Sequence, residues 1–438
     1  MFLCKVDFTV TRIDCDADRE MITIVWCTMA LLAYVLLSPA LAAPDEQKLG
    51  RDLGYPIGTA RTWYYDESVR VGSFSHQADI PGIFRGGTHV LARSDAPMRL
   101  PVAAVEPDYR WDVDQLRGLT VDDMLARQRI MGLLILKDGE VQVERYQYNR
   151  KPSDRFTSQS IAKSITALAI GYALEEGKIL SLDDRAEQYA PKLRGSILGE
   201  TTIRNLLRMA SGARYKQSYD GSGDTQRFSD AIARDGVEAA ARSVTARDTE
   251  QGAHFYYASP HSASLAAVAR GATGVSLSEY LTARLWRRIG AEETAIWNTD
   301  KTGLEIGLGN FNATLRDYAR LGVVLANDGM RPDLPAPNQI IPREFLLDAT
   351  DWKRQPEQFR PGKATPYLGY GYQFWTYPGQ KRRFMMLGVY GQSIFIDPEL
   401  KLVIVQTAAN ATAEAGNTSL GRERDAFWRG VLRYYDKK

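Results

Sequence analysis

Apolar positions along this chain change their period several times, and each change marks a different kind of element. The first apolar stretch, Met21 through Pro44, carries no charged side chain and ends in the small residues Ala40-Leu41-Ala42. Such a run predicts an export leader removed by a signal peptidase, and its length also suits a retained N-terminal anchor. Residues 1–20 are hydrophilic, with only Arg19 standing close before the run, so Met21 is an alternative start. From residue 44 to about 115 no period is sustained, while Gly, Pro, Arg and aromatic residues abound. That composition predicts an irregular N-terminal extension laid over the main domain.

Periodicity begins with "MGLLILKDGEVQVERYQYN" from Met131, where an apolar run, a Lys-Asp-Gly-Glu turn and an alternating run predict a β-hairpin. In "FTSQSIAKSITALAIGYALEEGKI" the apolar residues Ile161, Ile165, Leu168, Ala169 and Ala173 recur at helical spacing and Gly177 is a plausible C-cap. The next segment, about 180–318, is mainly helical in pattern. Strands return in "YGYQFWTY", "RRFMMLGVYGQSIFIDPE" and "LKLVIVQTAA", and the helical pattern "GRERDAFWRGVLRYY" closes the chain. This order predicts an α+β fold: an antiparallel sheet flanked by helices, whose two sequence-distant halves pair around an inserted helical subdomain.

Composition changes this picture little. The 438 residues are 44% hydrophobic and 25% charged with a formal net charge of +2, which gives no basis for a nucleic-acid partner. A membrane contact is expected only through an uncleaved anchor, and oligomeric state is left open. All three cysteines, Cys4, Cys15 and Cys27, precede or lie within the leader. The mature chain therefore has no disulfide, cysteine nucleophile or thiolate metal site.

Candidate chemistry sits at the start of the predicted helix after the hairpin. Ser160 and Lys163 are three residues apart, so their side chains share one helix face. A serine hydroxyl needs a base, and lysine serves only when held neutral. From a reference pKa near 10.4, half-neutrality at pH 7 requires a downward shift of about 3 units, or about 4 kcal/mol, which burial and the positive helix end both favour. The bland alternative is a capping serine with a snorkelling lysine. In "HFYYASPHS", Tyr257 can relay a proton and Ser259 can hydrogen-bond a lysine, although Tyr257 also suits a core ring. In "FMMLGVYGQ", Gly388 allows close approach of a ligand to an edge strand. There the Val389 N–H, with that of Ser160, would face a carbonyl oxygen.

Together and in this order, these motifs resemble the serine β-lactamase and penicillin-binding-protein superfamily, with its S-x-x-K, Y-x-N/S and K-T-G elements. The segments "LSLDDRAEQYAPKL", "TTIRNLLRMASG", "LSEYLTARLWRRIGAEETAIW" and "LRDYARLGVVLANDG" match as well, and the resemblance spans about Leu116 to Tyr435. Within the superfamily the chain is most similar to 6-aminohexanoate-dimer hydrolases and class VIII esterases. The resemblance implies that Ser160 is the acylated nucleophile, Lys163 its proton acceptor and Tyr257 the relay to the leaving group. It also implies that Ser259 orients Lys163, that Ser160 and Val389 supply the oxyanion amides, and that Gly388 and Tyr390 line the substrate site. Two departures stand out. Met386-Leu387-Gly388 replaces K-T-G, removing the cation and hydroxyl that hold a β-lactam carboxylate, and Tyr390 stands where the nylon-oligomer hydrolases often have histidine.

The expected organisation is a leader (1–43), an irregular extension (44–115) and a β-lactamase-like domain (116–438) with its helical subdomain at about 180–318. The expected activity is that of an exported, periplasmic or secreted serine hydrolase acting on a small amide or ester, amide slightly favoured, without cofactor or metal. His254 and His261 lack a third ligand and read as structural. Two alternatives remain: a D-alanyl peptidase or weak β-lactamase acting on peptidoglycan-like substrates, and a non-catalytic binding or sensor module.

Overall fold

The structure is a computed structural model describing residues 44–413 and 418–436. The expected leader, with Cys4, Cys15, Cys27 and Met21, lies outside the described residues.

The segment following residue 44 is not irregular throughout. It contains helix α1 (Glu67–Ser75) and strand β1 (Arg85–Leu91), then β2 (Trp111–Val113), which pairs with β3 (Leu116–Leu119) in a small ribbon. Sequence periodicity missed β1 because Arg85, Gly86 and Gly87 break any alternation.

The hairpin lies where its pattern predicts, as β4 (Ile130–Lys137) and β5 (Glu140–Tyr146). Asp138 and Gly139 both have positive φ, 53° and 79°, the geometry of a two-residue turn whose twist matches that of its strands. A short strand β6 (Arg155–Thr157) leads into helix α2 (Ile161–Glu175), which ends where Gly177 adopts φ 67°. Every residue of α2 from Ile161 to Ala173 is buried, so the helix is enclosed on all faces rather than along one stripe. Its small residues permit this: a Cβ at Gly171 would lie 2.5 Å from the Phe345 ring.

The helical insert is shorter than expected. Helix α3 (Ser259–Thr273) is its longest member, but β7 (Ala295–Asp300) and β8 (Phe311–Thr314) lie within the segment predicted as helical. They form a four-stranded sheet in the order β1-β7-β8-β6. Helix α4 (Leu315–Ala326) follows directly, capped by Thr314, whose hydroxyl accepts from the Asp317 N–H.

The expected strand "YGYQFWTY" divides into β9 (Gly369–Tyr370) and β10 (Trp375–Thr376), separated by a turn at Gln373. Then come β11 (Phe384–Gly388), β12 (Gln392–Asp397), β13 (Leu402–Ala408) and the closing helix α5 (Ser419–Asp436). The seven-stranded antiparallel sheet runs β5-β4-β13-β12-β11-β10-β9. Its two halves meet where β13 pairs with β4, Val403 opposite Leu136 and Val405 opposite Leu134.

Alternation along these strands separates two cores. Leu134, Met386, Ile394 and Val403 face the large core that contains α2 and α4. Leu133, Met385, Phe395 and Leu402 face α5, where Phe395 stacks on Trp428 at 4.9 Å.

Strand β11 is internal to the sheet, not an edge as expected. Its neighbour β10 covers only Phe384 and Met385, however, so Met386–Gly388 lack a partner on that side. The functional end of the strand is thus open locally.

Candidate active site

The nucleophile candidate sits at a junction fixed from several directions. The Ser158 N–H donates to the Phe311 carbonyl at 2.7 Å, and the Tyr318 hydroxyl donates to the Phe156 carbonyl at 2.8 Å. Gln159 adopts φ 45°, so the chain turns sharply between β6 and α2 and leaves Ser160 at the helix entrance. The first helical turn is closed by the N–H groups of Ile161, Ala162 and Lys163. The Ser160 N–H takes no part in that turn and stays at the positive end of the helix.

Lys163 Nζ lies 2.9 Å from Ser160 Oγ and 2.6 Å from the Leu308 carbonyl oxygen, and only 2% of the residue is exposed. Burial lowers its pKa from 10.5 to about 7. No carboxylate offsets that desolvation, which makes this lysine poised to exchange a proton near neutrality. The Leu308 carbonyl is itself held in place. The Trp297 indole N–H is shared between the Ile306 and Gly309 carbonyls at 3.1 and 2.9 Å, and the Thr166 hydroxyl donates to the Gly307 carbonyl at 2.9 Å. A backbone carbonyl has no side-chain signature, so sequence reasoning had no means of finding Leu308. Trp297 was its nearest visible sign.

Tyr257 comes to the same place from a segment distant in sequence. Lys163 Nζ is 5.6 Å from the centre of its ring, which stacks on Trp375 at 5.5 Å and meets Tyr370 edge-on at 6.2 Å. Burial raises the Tyr257 pKa to about 12, and the Ser160 side chain beside its hydroxyl offsets part of that rise. The phenol is therefore protonated at neutral pH and can donate.

Ser259 begins α3 and is buried, but the hydrogen bonds of Lys163 Nζ go to Ser160 and Leu308 and none goes to Ser259. The contact expected from Ser259 is thus absent in this structure, and the Leu308 carbonyl accepts from the Lys163 amine instead. The backbone N–H of Ser259 donates to Gln217 Oε1 at 2.9 Å. Behind the site Gln373 joins the helices, its Oε1 accepting from Ser262 at 2.6 Å and its carbonyl from Ser164 at 2.5 Å.

Gly388 faces the nucleophile loop. A Cβ there would stand 2.6 Å from the Ser158 carbonyl oxygen and 2.9 Å from Gln159 Cβ. Its φ of −127° is ordinary, so glycine is required by space and not by backbone conformation. The chain leaves the ladder at Gly388 in a short turn, Val389–Gly391, so Val389 directly follows the strand end that abuts the Ser158–Gln159 loop. Tyr390, expected at the substrate, is 3% exposed; its ring is packed into the wall and its N–H donates to the Ala413 carbonyl. His261 is a buried structural group: Nε2 lies 2.7 Å from Ser211 Oγ, Nδ1 2.9 Å from the Ala258 carbonyl oxygen, and burial lowers its pKa to about 4. His254 is exposed.

Comparison with known proteins places this arrangement in a family. Residues 120–420 match the Beta-lactamase family model, and the chain belongs to that family. It is a hydrolase of the β-lactamase superfamily and is similar to the 6-aminohexanoate-dimer hydrolase of Paenarthrobacter ureafaciens, with 26% identity over 327 residues, 73% of this chain and 83% of the relative. Among solved structures, a Bacillus anthracis protein provisionally named 6-aminohexanoate-dimer hydrolase has the same fold, with a TM-score of 0.75 and 24% identity over 86% of this chain and 97% of that one. EstCE1, a hydrolase with promiscuous acyltransferase activity, shares the fold at a TM-score of 0.52 and 17% identity, covering 70% of this chain and 96% of its own.

Two outcomes are expected from this geometry. Gly388→Ala forces the strand end and the Ser158–Gln159 loop apart, so kcat/KM falls about a hundred-fold with a stability loss of about 1–3 kcal/mol; activity assays with denaturant unfolding check this, and unchanged turnover contradicts it. Lys163 is charged in the folded and unfolded chain below pH 7, where its burial costs about 5 kcal/mol, and that cost fades as pH rises from 7 to 10.5. Lys163→Met therefore gains stability over the wild type at pH 6 and loses that advantage progressively toward pH 10.5, as measured by unfolding at each pH; a difference independent of pH contradicts the assignment.

Proposed function

We propose that this protein is a serine hydrolase that cleaves a small amide or ester through an acyl-enzyme on Ser160. The observation that carries the reading is the 2.9 Å contact between Ser160 Oγ and a buried Lys163 amine whose pKa lies near 7.

In its neutral form Lys163 donates to the Leu308 carbonyl and turns its lone pair toward the Ser160 hydroxyl. It takes that proton as Oγ forms a bond to the substrate carbonyl carbon. The N–H groups of Ser160 and Val389 stabilise the developing oxyanion. Tyr257 gives its proton to the departing amine or alkoxide and is reprotonated from the Lys163 ammonium beside it. Water then enters, loses a proton to the same pair, attacks the acyl carbon and releases the acid with Ser160 restored.

Similarity to a 6-aminohexanoate-dimer hydrolase supports a linear amide, and the same acyl-enzyme chemistry serves an ester. Met386 and Leu387 in the strand opposite Ser160 supply neither cation nor hydroxyl to a substrate carboxylate, which supports an uncharged group there. The charge-free run before Pro44 supports export.

Hydrolysis of p-nitrophenyl butyrate and of a panel of linear amides by the purified protein tests this reading. Ser160→Ala is expected to lower kcat/KM by at least about a thousand-fold. Equal inertness of both proteins contradicts it and favours a binding module. Stable labelling of Ser160 by a fluorescent penicillin, without ester or amide turnover, favours a peptidoglycan-directed enzyme.

A further inference from the structure

The N-terminal segment before β1 is anchored more elaborately than a loose covering requires. Arg70, on α1, is 4% exposed and forms no ion pair among the described residues. Its guanidinium donates to the carbonyls of Tyr64, Tyr65 and Asn410 at 3.3, 2.9 and 2.8 Å, and lies 4.3 Å from the centre of the Tyr390 ring. Four backbone oxygens, counting a longer contact to Ala411, take four of its five N–H donors, so the guanidinium is committed to the backbone. It instead fixes the Tyr64–Tyr65 stretch against the wall formed by Tyr390.

That stretch bridges two parts of the molecule. Tyr64 meets Tyr390 edge-on at 5.1 Å. Tyr390 follows the Gly388–Val389 strand end, which abuts the Ser158–Gln159 loop. Tyr65 reaches the other way and donates its hydroxyl to Gln226 Oε1 at 2.9 Å, on a helix of the insert, Gly223–Asp235. The two tyrosine rings touch at 4.9 Å. The Tyr64 hydroxyl makes no hydrogen bond to the described residues although its ring is half-buried. Burial pushes the Tyr64 phenol well above its ordinary pKa, and the neighbouring Tyr390 and Tyr65 phenols push the same way, so it stays neutral.

We infer that Tyr64 is a specificity-determining residue, contributed by the N-terminal segment, whose ring caps the cleft beyond the end of β11 and restricts the enzyme to short substrate chains. The inference rests on the hydrolase reading of Ser160. Its rigidity comes from Arg70: a capping ring on a free segment would yield to a longer chain, whereas one clamped through carbonyls and packed on Tyr390 excludes it. No signal of this kind is visible in the sequence, where Tyr64 lies in a stretch without period.

Alkyl fluorophosphonates test the cap directly. Ser160 Oγ attacks phosphorus, fluoride leaves, and the serine proton passes to Lys163, so labelling requires no turnover. The rate of Ser160 labelling by decyl fluorophosphonate relative to the ethyl reagent is measured for the full-length wild type, Tyr64→Ala, Tyr64→Phe and Tyr64→Trp. Tyr64→Ala is expected to raise the decyl-to-ethyl ratio at least about ten-fold, as opening space for additional methylenes does. Tyr64→Phe should leave it within about two-fold, and Tyr64→Trp should lower it. A ratio unchanged in Tyr64→Ala with the thermal midpoint retained overturns the inference while leaving the hydrolase reading intact. Should Tyr64→Ala fail to fold, an unchanged ratio in Tyr64→Trp overturns it equally. Failure of every reagent to label wild-type Ser160 overturns the hydrolase reading and this inference together.

Discussion

One constraint governs the molecule: an amine must be kept out of water without a countercharge and within hydrogen-bond reach of a hydroxyl. Lys163 meets it because α2 is enclosed on every face and because Leu308 offers a carbonyl where a carboxylate would have restored the charge. A carboxylate at that point would pull the lysine pKa upward and remove the base. A carbonyl satisfies the donor and leaves the proton affinity low. The folded state bears a stability cost for this arrangement, which the extensive apolar burial around α2 sustains.

Everything else serves to hold three segments, far apart in sequence, at that point. Pairing of β13 with β4 closes the seven-stranded sheet, so the strand ending at Gly388 and the turn before Ser160 approach each other across a fixed distance. Trp297 sets the height of the Leu308 loop, and Gln373 ties α2 to α3 behind the site. Tyr257 then arrives at the start of α3 with its ring pinned against Trp375. The helical insert contributes Tyr257 and the sheet contributes the open strand end, so neither part forms the candidate site alone.

Much of this was legible in the sequence because it depends on periodicity and on short-range spacing. The β4–β5 hairpin, the Ser160–Lys163 pair one turn apart and the return of strands near the C-terminus follow from residue pattern alone. Strand β1 escaped because its glycines and alternate exposure conceal its pairing with β7. Strands β7 and β8 escaped because they are short and lie between helical segments. The contacts made by Lys163 and Tyr390 include partners that no residue type announces: a backbone carbonyl at Leu308, and a guanidinium from α1 stacked on Tyr390. The edge strand expected at Gly388 is internal, yet its neighbour β10 is two residues long and stops short of it.

The central claim, that Lys163 is the base and titrates near neutrality, is tested most directly by the pH dependence of Ser160 phosphonylation by diisopropyl fluorophosphate, followed between pH 5 and 10 by mass spectrometry. The account predicts a second-order rate that rises with deprotonation of a single group near pH 7 and then levels, because the neutral amine is the active form. A rate that continues to climb toward an inflection near 10.5, the pKa of an ordinary solvated lysine, would contradict it.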